Sequence, residues 1–141
     1  MKVKVLDYGF KSLPKRAHYN DAGADVYACF ESDEYTLMPH STAKTPLGFG
    51  LCLPDGFMAC VYPRSGFASK GIVCELPPID SGYRGEIHAI VTNVSDEPFE
   101  ICNGDRIGQL VVTPVIMADF VPENAPEFLA RGEGAFGSTG A

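Results

Sequence analysis

EIHAIVTNVSDEPFEICNGDRIGQLVVTPV, Glu86 to Val115, decides the fold. Two runs within it, EIHAIVTN and RIGQLVVTPV, are short, rich in β-branched residues and close to alternating, the pattern of half-buried strands. SDEP (Ser95–Pro98) and NGD (Asn103–Asp105) mark explicit turns between them. Working outward, KVKVL (Lys2–Leu6) near the start, DVYACF, GFGLCL and FMACVYP repeat the strand pattern, and PDG at Pro54–Gly56 adds a further turn. No window of a dozen residues keeps a helical apolar stripe free of proline; SGFASKG (Ser65–Gly71) holds one helical turn at most. Many short strands at this spacing predict an all-β sandwich, jelly roll or barrel.

The chain has 141 residues, enough for one domain that folds without staples. Alternation persists to about residue 118. From Asp119 the sequence ADFVPENAPEFLARGEGAFGSTGA gains proline, glycine and acid, which predicts an extended arm and a mobile tail over 119–141 attached to a catalytic domain over 1–118. An arginine, an isolated phenylalanine and GSTG are an odd composition for mere fraying. The N-terminus lacks an apolar stretch of signal-peptide length, and nothing later predicts a membrane span. Five cysteines without a C-x-x-C pair argue for reduced thiols in a cytoplasmic compartment, most of them acting as small buried hydrophobes.

A net charge of −7 argues against broad nucleic-acid binding, which needs a positive face. Yet Arg64, Arg84, Arg106 and Arg131 sit in glycine-rich or polar clusters away from the long strands. That placement suits local capture of a small anion, and in an acidic protein it invites a divalent cation as intermediary. Five blocks interrupt the strands: AGADV (Ala22–Val26), PRSG (Pro63–Gly66), IDSGYRGE (Ile79–Glu86), GDRIGQL (Gly104–Leu110) and RGEGAFGSTG (Arg131–Gly140). PRSG offers a guanidinium, a hydroxyl and successive backbone amides, a good phosphate cradle. In IDSGYRGE the turn itself needs only Ser81 and Gly82. Asp80, with Tyr83 three residues on, is surplus to it.

In order and spacing these blocks resemble the five motifs of the trimeric dUTP nucleotidohydrolases (dUTPases), from about Leu13 to the last residues. The resemblance implies a jelly-roll-like fold, a homotrimer with composite active sites, dUTP as substrate and Mg²⁺ as cofactor. It assigns Asp80 as the catalytic acid acting on water, with Gln109 near that water. Arg64, Ser65 and Gly66 would hold the triphosphate, with Arg131 reaching the terminal phosphate, and Asp25 would help to hold Mg²⁺. Tyr83 would pack on deoxyribose and exclude a 2′-hydroxyl, and Phe136 would close over the base. Ile79, Gly137 and Ser138 complete the substrate-binding set. Arg84 and Arg106 read as structural pairing residues, Glu86 as a strand-edge charge, and His18, His40 and His88 as having no partners for a metal or nucleophilic site.

Many family members carry small residues before the catalytic acid, where this chain has CELPPID. Pro77 and Pro78 remove two backbone donors and stiffen one side of the expected hairpin. Ala135 stands where glycine is usual in the tail. The related dCTP deaminases carry a catalytic glutamate ten residues after the aspartate; here that residue is Ile90, which moves no protons. A non-catalytic regulatory protein on the same scaffold has no need of the acid, the glutamine and the tail aromatic together, and all three are present.

Overall fold

The computed structural model describes residues 1–126. Ten strands and one helical turn follow in order: β1 (Lys4–Asp7), β2 (Ala24–Tyr27), β3 (Glu34–Leu37), β4 (Thr42–Pro46), β5 (Phe49–Cys52), β6 (Phe57–Tyr62), α1 (Ser65–Ala68), β7 (Ile72–Cys74), β8 (His88–Asn93), β9 (Phe99–Cys102) and β10 (Arg106–Pro114). They pair antiparallel as β1-β5, β2-β10-β6, β3-β9 and β4-β8-β7. The fold is the expected jelly-roll-like, all-β one. No helix among the described residues is long and apolar enough to cross a membrane.

Six of the strands lie in the runs that alternation marks. β3, β4, β7 and β9 do not stand out in the sequence. EYTL and TAKTP are polar and half exposed, and each is a strand because its partner supplies the ladder: β9 for β3, β8 for β4. Long-range pairing overrides weak local preference in such segments.

One core joins the sheets. Val26, Leu47, Phe49, Ile72, Val91, Ile101 and Ile107 are almost wholly buried in it. Burying a side chain such as Phe49 contributes ~1.5–3 kcal/mol. Asn93, fully buried at the end of β8, donates to the carbonyls of Leu37 (3.0 Å) and Glu97 (2.7 Å), and its oxygen accepts from the Ser95 amide (3.0 Å). A buried amide with its groups satisfied fixes the SDEP turn without a desolvation penalty. All five cysteines are free. Burial pushes the Cys74 thiol up to about 11 and raises that of Cys60 too, so both stay protonated and pack as apolar groups.

Candidate active site

β10 is the axis of the site. Gln109 lies directly opposite Asp25 of β2 on one side and Tyr62 of β6 on the other, which puts Gln109 and Asp25 on one face. In a regular strand Arg106, three positions earlier, points to the opposite face. It does not, because a bulge between Arg106 and Gly108 inserts a residue and leaves Ile107 and Gly108 successively buried. The shift turns Arg106 onto the Gln109 side, where its guanidinium donates to the Asp25 carboxylate at 3.3 Å. The pairing role expected for Arg106 is met by this contact, and the bulge that permits it is not visible in the residue types.

Pro63 ends β6 and delivers the chain to α1. Arg64 precedes the helix and is held twice: it donates to the Arg106 carbonyl at 3.2 Å, and its guanidinium lies 5.5 Å from the centre of the Phe67 ring. A cavity of about 360 Å³ gathers Arg64, Ser65, Gly66, Asp25, Arg106 and Gln109. Gly23 forms part of its wall for a steric reason. A Cβ there falls 2.7 Å from the Gln109 side-chain oxygen and 2.8 Å from its Cβ, so any larger residue displaces the glutamine.

Two lining residues were not expected. Asp21 accepts from the His18 amide (2.8 Å), and its carboxylate lies 3.4 Å from the His18 ring, a local i, i+3 pair. The only sequence signal for this pair is its i, i+3 spacing ahead of AGADV. Two guanidiniums and two carboxylates nearly cancel, so this cavity by itself offers little net positive charge to a polyphosphate. The carboxylate oxygens are a hard donor set that fits Mg²⁺, which takes few carboxylates and completes its shell with water and phosphate oxygens.

Asp80 and Tyr83 lie elsewhere. Ladder pairing of β7 with β8 extends to Glu75, whose amide donates to the Ile90 carbonyl at 2.8 Å, and it stops there. Pro77 and Pro78 lack the N–H groups needed to continue it. Pairing resumes on a different sheet, where Ile79 and Ala59 of β6 exchange bonds of 3.1 and 2.7 Å. The expected hairpin is therefore a wide one, with residues 76–87 outside its ladder. A cavity of about 240 Å³ opens along this stretch, floored by Val61, Ile79, Ile87 and Ile90 and edged by Asp80 and Tyr83.

Its rim is tightly self-bonded. Asp80 and Tyr83 close a turn through a 3.1 Å backbone bond, and Arg84 donates to the carbonyls of Ser81 (2.6 Å) and Tyr83 (3.1 Å), the structural role expected of it. Tyr83 bends back over Gly85, where any Cβ would collide with the ring, and its hydroxyl donates to the Glu86 carbonyl at 3.0 Å. Glu86 departs from the strand-edge reading. It lies outside β8, half buried, and accepts from the Gly48 amide at 2.9 Å, tying the loop to the body. The Asp80 side chain stays exposed.

Asp80 and Gln109 thus line separate cavities of one chain. Gln109 is opposite Tyr62 and Ile79 opposite Ala59, a displacement along β6 of roughly 10 Å at strand rise. The expected Arg131, Phe136, Gly137 and Ser138 contacts lie outside the described residues.

A cavity lined by guanidiniums and carboxylates, with an acid and an aromatic ring over a separate apolar cavity, is compatible with a hydrolase acting on nucleotides. The dUTPase family model matches residues 11–140, and the chain belongs to the dUTPase family. It is 44% identical over 134 residues to a deoxyuridine 5′-triphosphate nucleotidohydrolase of Leifsonia xyli subsp. xyli, covering 92% of this chain and 86% of that protein. A protein of the same name from Wolbachia pipientis subsp. Culex pipiens is 41% identical over 149 residues, covering 99% and 95%. Among solved structures, a mutant Staphylococcus bacteriophage 80alpha dUTPase with dUpNHpp superposes with a TM-score of 0.85 at 26% identity, covering 99% of each chain. A mutant dUTPase of S. aureus phage phi11, described for its coordination of a structural Mg(II) ion, shares the fold at a TM-score of 0.80 and 22% identity, over 91% of this chain and 100% of that one.

Proposed function

We propose that this chain hydrolyses dUTP to dUMP and pyrophosphate, with Asp80 as general base for a water that attacks the α-phosphorus. The observation that carries the reading is an exposed carboxylate held by a rigid turn at the mouth of an apolar cavity, with an aromatic ring beside it. Arg64, with the amides of Ser65 and Gly66, binds the phosphates, and Gln109 orients the water from the face it shares with Asp25. Asp25 helps to hold Mg²⁺, which when bound offsets phosphate charge and polarises the phosphoryl oxygens. Arg131 and Phe136, with Gly137 and Ser138, complete the site from the tail over 119–141, which serves the body over 1–118.

Separation of the two cavities supports a homotrimer with composite sites: the Asp80 loop of one protomer faces the phosphate cavity of the next. Free thiols suit a reducing, cytoplasmic setting. Pyrophosphate release from a panel of deoxynucleoside triphosphates, with and without Mg²⁺, tests the reading. Mg²⁺-dependent release from dUTP is expected, and release that ignores the nucleotide or the metal would refute it.

Tyr83 carries a second expectation. Its ring is pinned over Gly85 by the bond to Glu86, so it presents a fixed wall to the sugar. Fixed walls exclude an added hydroxyl, whereas soft apolar ones discriminate only about 10²-fold. Tyr83→Ala is expected to raise the UTP-to-dUTP ratio of kcat/KM by about tenfold or more. An unchanged ratio in a folded variant removes Tyr83 from the sugar pocket.

A further inference from the structure

The cavity beside Asp80, where the base would sit on the dUTP reading above, has an unusual inventory of hydrogen-bond donors. Pro77 and Pro78 line it and have none on the backbone. The amides of Glu75 and Ile79 are spent on Ile90 and Ala59. The Tyr83 hydroxyl is spent on the Glu86 carbonyl, and so is His88 Nδ1 at 3.1 Å, which must donate to that oxygen and leaves Nε2 of the neutral ring as an acceptor. Lys44 is the one lysine or arginine lining the cavity among the described residues. It sits on β4 directly opposite Ile90, and Glu75 meets Ile90 from the other side through its backbone bond. Residues opposite one another on neighbouring strands share a face. Lys44 and Glu75 therefore flank the cavity floor, one a donor and the other an acceptor.

A uracil ring carries an N3–H donor between two carbonyl acceptors. A cytosine ring replaces the 4-oxygen with an amino donor and the N3–H with an acceptor. We infer that Lys44 is a specificity-determining residue whose ammonium donates to the 4-oxygen of the base, with Glu75 taking the N3–H. The assignment rests on the dUTP reading above and deepens it. The 4-amino group of cytosine would point its hydrogens at a cation, and its unprotonated N3 would face a carboxylate. Both contacts repel, so the chain selects a 4-oxo base with side chains beside a stretch where Pro77 and Pro78 offer no backbone donor.

The test compares kcat/KM for dUTP and dCTP in the full-length enzyme. Lys44 is exposed on its strand, so Lys44→Met should fold. It is expected to lower the dUTP-to-dCTP ratio by about tenfold or more, the worth of a hydrogen bond to a charged group. The loss should lie chiefly in KM for dUTP, with kcat within a few-fold, since the ammonium is assigned to the base and not to the attacked phosphorus. Lys44→Ala, which adds no apolar surface, carries the same expectation, and Lys44→Arg, which keeps a cationic donor, should retain most of the discrimination. A ratio unchanged in folded Lys44→Met and Lys44→Ala, while the unaltered enzyme still turns over dUTP, overturns this assignment alone. An unaltered enzyme that hydrolyses no dUTP removes the activity and the assignment with it.

Discussion

Asp80→Asn is expected to lose at least about 10²-fold in kcat, toward 10⁴-fold, while dUTP affinity stays within a few-fold. The carboxylate projects from a turn closed by the Asp80–Tyr83 backbone bond and clamped by Arg84, so replacing it with an isosteric amide leaves the loop intact. An amide cannot accept a proton from water, and the groups proposed to hold the phosphates, Arg64, Ser65 and Gly66, line the separate cavity. Loss of turnover without loss of binding is the signature of a group that acts only in the transition state. A folded variant that keeps more than about a tenth of the kcat would place the base elsewhere.

Mixing two inactive variants gives an equally large effect in the opposite direction. Asp80→Asn disables the loop of its own chain and leaves the phosphate cavity sound; Arg64→Ala does the reverse. If each site combines the loop of one protomer with the cavity of its neighbour, some sites of a mixed trimer are whole. Equal amounts refolded together in a closed trimer give roughly one such site in four. Activity should therefore rise from near background to about that fraction of the unaltered enzyme. If mass measurements show mixed trimers and activity stays at the level of the separate variants, the sites are not shared in this way. The physical basis is reach: Gln109 and Ile79, the neighbour of Asp80, are displaced by roughly 10 Å along β6 within a chain, and a hydrogen bond spans about 3 Å.

Much of this was legible in the chain itself. Alternation in EIHAIVTN and RIGQLVVTPV, punctuated by SDEP and NGD, is a local property of residue types, and it marked β8, β10 and the turns between. The surplus acid and aromatic in IDSGYRGE were visible for the same reason, as side chains that a turn does not require. The two backbone donors missing at Pro77 and Pro78 were legible too, because a missing N–H is a fact about the residue; that the ladder stops there and resumes on β6 was not.

Other features exist only once strands have paired. β4 and β9 are too short or too polar to declare themselves, and each is a strand because a partner completes its hydrogen bonds. The bulge before Gly108 reverses the face of Arg106, so its meeting with Asp25 follows from register. Lys44, far from the acid in sequence, reaches the cavity beside Asp80 because β4 lies against β8, while Asp80 and Gln109, both chemical in character, end in different cavities. Residue types state what chemistry a side chain offers and what its own backbone permits. Which side chains share a face or a cavity is decided by pairing between segments remote along the chain, and that is a property of tertiary structure alone.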